Sequence, residues 1–200
     1  MKNRFIFIIV GILLINLVSA TGDIAYITKS VSSIDSNIVN AINETGYSVD
    51  FIDDSNITKT DFSKYKMILV PDQTFSSYVN DIPVNNVNSL ILNINYIDDW
   101  HWIADGPSQT ASNQPLKANV VGDGKIVEGI PSNFKVYTYA RYDGVSIPMY
   151  YLSRYNIARG LNKIVSTDGD DLDSVIATAN VGTVLKDSYV SHARGVFFGI

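Results

Sequence analysis

Residues 66–72 read Lys-Met-Ile-Leu-Val-Pro-Asp. Four apolar residues in a row, stopped by Pro71 and Asp72, fit a short strand buried on both faces. Working outward, Asp23-Ile24-Ala25-Tyr26-Ile27-Thr28 is a second such segment, Tyr47–Asp53 alternates like a strand, and Ser89–Tyr96 is a fourth. Between the first two, Ile34, Ile38, Val39 and Ile42 recur at helical spacing. Asp35 or Ser36 can cap a helix over residues 37–44, and Gly46 stops it. Thr60–Tyr65 is a short helical connector. Strands roughly 20–25 residues apart with helical material between them predict a parallel sheet of βαβ units. Right-handed crossovers would put helices on both faces.

The second half is different. Gly122-Asp123-Gly124, Asp143-Gly144, Asp168-Gly169 and Val181-Gly182 punctuate β-rich segments at Phe134–Tyr139, Ser146–Leu152, Ser174–Thr178, Thr183–Leu185 and Ala193–Ile200. Such dipeptides favour hairpins. The expectation is one α/β domain over residues 21–200: an open, mostly parallel sheet followed by antiparallel hairpins. The sequence stops inside an apparent buried strand, so a terminal helix past Ile200 is also expected.

Residues 1–20 carry an address. Lys2 and Arg4 precede the apolar run Phe5–Val18, which leads into Val18-Ser19-Ala20. Charged start, apolar middle and small-residue exit form a secretory signal, expected to be cleaved after Ala20. Fourteen residues are too few for an ordinary membrane span. An uncleaved signal anchor is the alternative, and only that alternative implies a membrane partner.

Composition narrows the function. The whole chain has a net charge of −5; without residues 1–20 it holds 13 basic and 20 acidic residues, a net of −7. No basic run occurs, which argues against nucleic acid. There is no cysteine, so thiol nucleophiles, thiolate zinc sites and iron–sulfur clusters are excluded. Two histidines, His101 and His192, are too few for a multi-histidine metal site. No cofactor motif is read: Gly122-Asp123-Gly124 lacks the lysine and helix of a phosphate loop. Gly-x-Ser-x-Gly is absent, so Ser76 or Ser77 with His192 makes a poor serine hydrolase. Asn43-Glu44-Thr45 and Asn56-Ile57-Thr58 are sequons, making Asn43 and Asn56 candidate glycan acceptors.

Asp98-Asp99-Trp100-His101-Trp102 is the densest chemical cluster. After the fourth strand it is expected at the carboxyl end of the parallel sheet, where open α/β folds bind ligands. Trp100, His101 and Trp102 could bind a glycan or a protein. Asp98, Asp99 and His101 could instead do acid–base work as a hydrolase. The plainer alternative has the tryptophans filling a core edge and Asp98 capping a helix. Asp168, Asp170, Asp171 and Asp173 form a second acidic group. It reads as a solvated turn, with calcium as the alternative, although EF-hand spacing fails.

The order of "DIAYIT", "INETGYSVDFID", "DFSKYKMILVPD", "KIVEGIP", "DSVIATANVGTVL" and "RGVFFGI" resembles the class I glutamine-amidotransferase-like domains of flavodoxin-like fold found in secreted and envelope proteins. The resemblance spans about residues 23–200 and is a pattern of elements. Active members carry a Cys nucleophile after a central strand and a His after a late one. The resemblance implies that Gly199 stands at that His position, and the chain has no Cys. It therefore implies a non-catalytic exported module, binding an envelope protein, a glycan or a second copy of itself.

Overall fold

The computed structural model describes residues 22–76, 78–104, 110–111, 117–136, 141–142, 145–146, 149–168 and 170–199. Nine strands form one sheet. In chain order they are β1 (Ile24–Thr28), β2 (Val49–Asp53), β3 (Met67–Val70), β4 (Ser89–Ile91), β6 (Lys117–Val120), β7 (Asn133–Lys135), β11 (Asn162–Thr167), β12 (Asp170–Ala179) and β13 (Gly195–Phe198). The remaining strands form two-residue ladders: β5 (Thr110–Ala111) with β10 (Met149–Tyr150), and β8 (Arg141–Tyr142) with β9 (Val145–Ser146). Across the large sheet the order is β2-β1-β3-β4-β13-β12-β11-β6-β7.

The first five strands in that order run parallel, as the βαβ reading requires. The other pairings are all antiparallel, so the sheet is mixed and the expectation of a mostly parallel one is corrected. For the β11–β12 pair the connection itself dictates the direction. Two residues can only reverse the chain, whereas a parallel return needs a crossover of a dozen residues or more. β13 joins the two regimes, running parallel to β4 and antiparallel to β12.

The expected helices on both faces are also corrected. Among the described residues there is one α-helix, α1 (Ser36–Glu44). Asp35 caps it by accepting from the Asn37 and Ile38 N–H groups, and Gly46, at φ +83°, follows its end. Ile38, Val39 and Ile42 pack on Ile24, Tyr26 and Leu69. Beside α1 an apolar trough of about 520 Å³ runs over Leu90, Leu92 and Phe198. The opposite face is covered by 3-10 turns at Asp54–Lys59 and Phe62–Lys64 and by the largely irregular run on either side of β4, with Phe75, Ile82 and Val84 before it and Ile94, Trp100 and Ile103 after it. That run is rich in Asn and Asp, which hydrogen-bond their own backbone and compete with helix formation.

The predicted fourth strand ends early, because Asn93 turns inward and donates to the Pro71 and Gln73 carbonyls. β12 is longer than predicted and takes in Asp170–Asp173. Thr183–Leu185 contributes only the bridge from Val184 to Val190. Of the predicted strand at 134–139, residues 137–139 lie outside the described residues, as do 147 and 148 of that at 146–152.

Asp23 clamps the amino ends of three neighbouring strands. Its carboxylate meets Lys66 Nζ at 2.6 Å, just before β3, and accepts from Ser48 N and Oγ, just before β2. The Lys66 and Ser48 hydrogen bonds hold its pKa down to about 2, from an ordinary value of 3.8. A depressed carboxyl stabilises the fold above its unfolded pKa and loses that contribution as pH falls through the folded one. Acid unfolding should therefore show a component between about pH 4 and pH 2 that Asp23→Asn removes, with Asp123→Asn, at an exposed position, as the control. Equal acid limbs in wild type and Asp23→Asn would refute the clamp.

Candidate functional site

The Asp98–Trp102 cluster is at the other end of the sheet from that expected. After β4 the chain turns at Asn93 and travels back across the sheet face. Trp100 and Trp102 then meet residues that precede β4 and β13. The Trp102 ring lies against Gly195, the first residue of β13: a Cβ added there would be 2.6 Å from Trp102 Cζ2. The site thus lies at the amino ends of β4 and β13. Inward Asn93 forces the reversal that the sequence reading carried straight on.

Both tryptophans are core residues, 2% and 0% exposed, so neither ring presents a stacking face to solvent. Their donors are committed: Trp100 Nε1 to the Val79 carbonyl and Trp102 Nε1 to Asn85 Oδ1, both at 3.0 Å. Asn85 is the hub. It is buried, its Nδ2 donates to the Trp100 carbonyl at 2.9 Å, and its own carbonyl accepts from His192 N at 2.7 Å and Ala193 N at 3.1 Å. One residue therefore joins the chain before β4, the tryptophan segment and the chain before β13.

His101 sits between two buried tryptophans and faces outward. Its φ is +64°, the left-handed region where a side chain costs about 1–2 kcal/mol. Asp187 and Ser188, opposite it, are also left-handed, at +53° and +60°. The two strained segments clasp each other. Lys186 N donates to the His101 carbonyl at 2.9 Å, His101 Nδ1 lies 3.2 Å from Asp187 Oδ2, and the imidazole stacks on Tyr189 with centroids 4.8 Å apart. Beside them is a pocket of about 290 Å³. Asn80, Asp81, Asn86, Asp99, His101 and Tyr189 contribute its polar wall. Asp99 and His101 of the predicted trio reach it; Asp98 does not line it.

The carboxyl ends of the parallel strands, where a ligand was expected, are filled by the protein's own polar groups. Besides the Asn93 bonds, Gln73 Oε1 accepts from Thr28 Oγ1, and Gln73 Nε2 donates to the Ser33 carbonyl. Burial raises the Asp72 carboxyl pKa, opposed by a hydrogen bond from Tyr150. Gly199 sits at the same end. A Cβ there would be 2.1 Å from the Tyr150 carbonyl oxygen, so no side chain fits at that position.

The other candidates are dispersed. Asp168 accepts from Asn133 Nδ2 at 3.3 Å, and Asp173 accepts from Arg154 N at 2.8 Å. Asp170 and Asp171 belong to β12 rather than to a solvated turn, and their side chains lie outside the described residues. Among the described residues no group of three or more His, Asp or Glu could hold a metal. Asn43 and Asn56 are both exposed. Ser76 N donates to buried Asp54 at 2.6 Å; Ser77 lies outside the described residues. His192 is on the outer side of the Asn85 hub.

Sequence reasoning missed Asn85, Asp187 and Tyr189. Asp187 is 86 residues from His101, and a lone Asp-Ser turn gives no signal of its distant partner. Asn85 follows a proline and valine in an Asn-rich stretch, where one buried Asn looks like its solvated neighbours.

No family model matches the chain, and no curated protein matches it. Among solved structures, a glutamine amidotransferase from Thermotoga maritima is similar, at 9% identity and a TM-score of 0.46, over 86% of this chain and 73% of that one. A likeness this slight carries no residue correspondence and no argument about activity.

Two substitutions test this geometry. Asn85→Ala strands the Trp102 N–H and the Trp100 carbonyl in the core, so it should cost about 2–4 kcal/mol in denaturant unfolding. His101→Ala and His101→Gly both delete the ring and differ only in backbone freedom. The glycine variant should be the more stable by about 1 kcal/mol, through relief of the left-handed strain. A more stable alanine variant would show that His101 is not held left-handed.

Proposed function

We propose that this chain is an exported, non-catalytic α/β module of the cell surface or medium, and that it binds an envelope glycan or protein through the pocket beside His101. The observation that carries this reading is the make-up of that pocket. His101 is already engaged, with a carboxylate on one nitrogen and an aromatic ring against its face, and the other polar side chains among the described lining residues are Asn, Asp and Tyr. Asn, Asp and Tyr side chains that ring a polar recess suit recognition by hydrogen bonding. The apparent signal at residues 1–20 supports export, and exposed Asn43 and Asn56 are the glycan acceptors of this reading. The sequence's own resemblance in element order to amidotransferase-like domains, in a chain without Cys, is compatible with a module that lacks their chemistry.

The His101–Asp187 pair favours one second reading. An imidazole oriented by a carboxylate can activate water, which would make the pocket a hydrolase site with Asp99 in its wall.

Purified from culture medium, the native protein should begin at Thr21 and sediment with envelope fragments. His101→Ala and Asp187→Ala should reduce that binding at least several-fold while leaving the circular dichroism spectrum unchanged. Turnover of simple ester or glycoside substrates, lost in both variants, would replace the binding reading with the hydrolytic one. Binding unaffected by either substitution would remove the pocket from the function.

A further inference from the structure

We propose that the turn Lys186–Tyr189 is a latch on the pocket wall, a two-state element that holds His101 in place when shut and lets the wall part when released. Its coupling to a ligand rests on the binding reading above; the latch itself does not. Among the described residues, four non-glycine residues have positive φ: Tyr78 (+59°), His101 (+64°), Asp187 (+53°) and Ser188 (+60°). They belong to three segments that meet at this one pocket. His101 lines it, Tyr78 precedes the turn that brings in Asn80 and Asp81, and Asp187 and Ser188 precede Tyr189. Left-handed side chains persist only where their surroundings force them, and they concentrate at ligand clamps and switches.

The hydrogen bonds show how the tip is held. A two-residue hairpin turn needs positive φ at both central residues, and Asn-Gly or Asp-Gly ordinarily supplies it. Here the pair is Asp187-Ser188, and serine lacks the freedom of glycine. Tyr189 N donates to the Lys186 carbonyl at 3.0 Å, as such a turn requires. In a regular hairpin Lys186 N would return the bond to the Tyr189 carbonyl. Instead Leu185 N takes that carbonyl at 2.7 Å, and Lys186 N crosses to the His101 carbonyl at 2.9 Å. The Lys186 donor thus has a second acceptor within its own turn. The stem does not depend on His101: Leu185 is buried, Val184 bridges Val190, and Ser191 N donates to the Thr183 carbonyl. The tip is held to His101 by that one backbone bond, by the ring stack on Tyr189 and by the Asp187 carboxylate, whose 76% exposure leaves its ion pair weak. Strain on both sides of the contact opposes these few bonds. Releasing Lys186 N lets His101, Asp187 and Ser188 relax together, and the wall formed by His101 and Tyr189 parts. A ligand seated in the pocket binds the shut form and shifts the balance toward it.

Amide hydrogen exchange of the native protein, corrected for intrinsic rates, tests the latch. The Lys186 amide should exchange about tenfold faster than those of Leu185 and Tyr189, whose bonds stay inside the hairpin. Ser188→Gly should slow Lys186 exchange about fivefold relative to Ser188→Ala, because both remove the hydroxyl and only glycine relieves the left-handed backbone. Ser188→Val, at a residue outside the pocket lining, should speed that exchange and weaken binding to envelope fragments several-fold. Bound fragments should in turn slow Lys186 exchange in the wild type. One common rate for Leu185, Lys186 and Tyr189 overturns the latch, and so does equal Lys186 exchange in the glycine and alanine variants. Fragment binding unchanged by Ser188→Val while its Lys186 exchange rises overturns the coupling to the pocket. If the wild type binds no envelope fragment, the binding reading falls, and the amide comparison alone decides the latch.

Discussion

The buried side chain of Asn85 holds together three segments that share no sequence neighbourhood. It positions the Trp100 carbonyl, satisfies the Trp102 indole and, through its own carbonyl, sets the approach to β13. Each of these polar groups lies where water does not reach. An unmet amide or indole donor there costs about 1–3 kcal/mol. The constraint is geometric as well as energetic. With Trp102 pinned to Asn85, its ring lies over the start of β13, and only glycine fits at position 195.

The same clamp creates the pocket. Trp100 and Trp102 point into the core, so the residue between them is forced to the surface, and a left-handed backbone turns its ring toward Tyr189. His101 is therefore presented by its neighbours' burial rather than by an element of its own. The far end of the sheet uses its polar groups differently. Asn93, Gln73 and Thr28 close it by bonding one another and the backbone, leaving the amino ends of β4 and β13 as the open chemistry.

The parts of this fold that rest on local pattern were legible in the sequence. The apolar runs of β1 and β3, the alternation of β2 and the capped helix before Gly46 all announce themselves within a dozen residues. The β11–β12 hairpin was visible in Asp168-Gly169, but its consequence for the sheet was not. Direction depends on which strand β12 meets next, and β13 lies more than a dozen residues further on. The Asp98–Trp102 cluster stood out in the sequence as a candidate, but its position was misread. Burial of the tryptophans depends on Asn85 and Gly195, which no spacing rule connects. The His101–Asp187 contact has no local signature at all.

β13 is the last strand described, yet it occupies the middle of the sheet, between β4 and β12. The parallel strands β1 to β4 come from one continuous stretch of chain and can assemble early. The hairpin of β11 and β12 can do the same. Until β13 arrives, however, each part has a raw inner edge, and unpaired edges are where strands from other molecules attach. A chain emerging from its amino end must therefore present everything up to residue 194 before the two parts of the sheet can be sealed. The closing step is a long-range insertion, the slow class of folding event. β13 is a keystone, and the interval before it is set is when this protein is most exposed to misassembly.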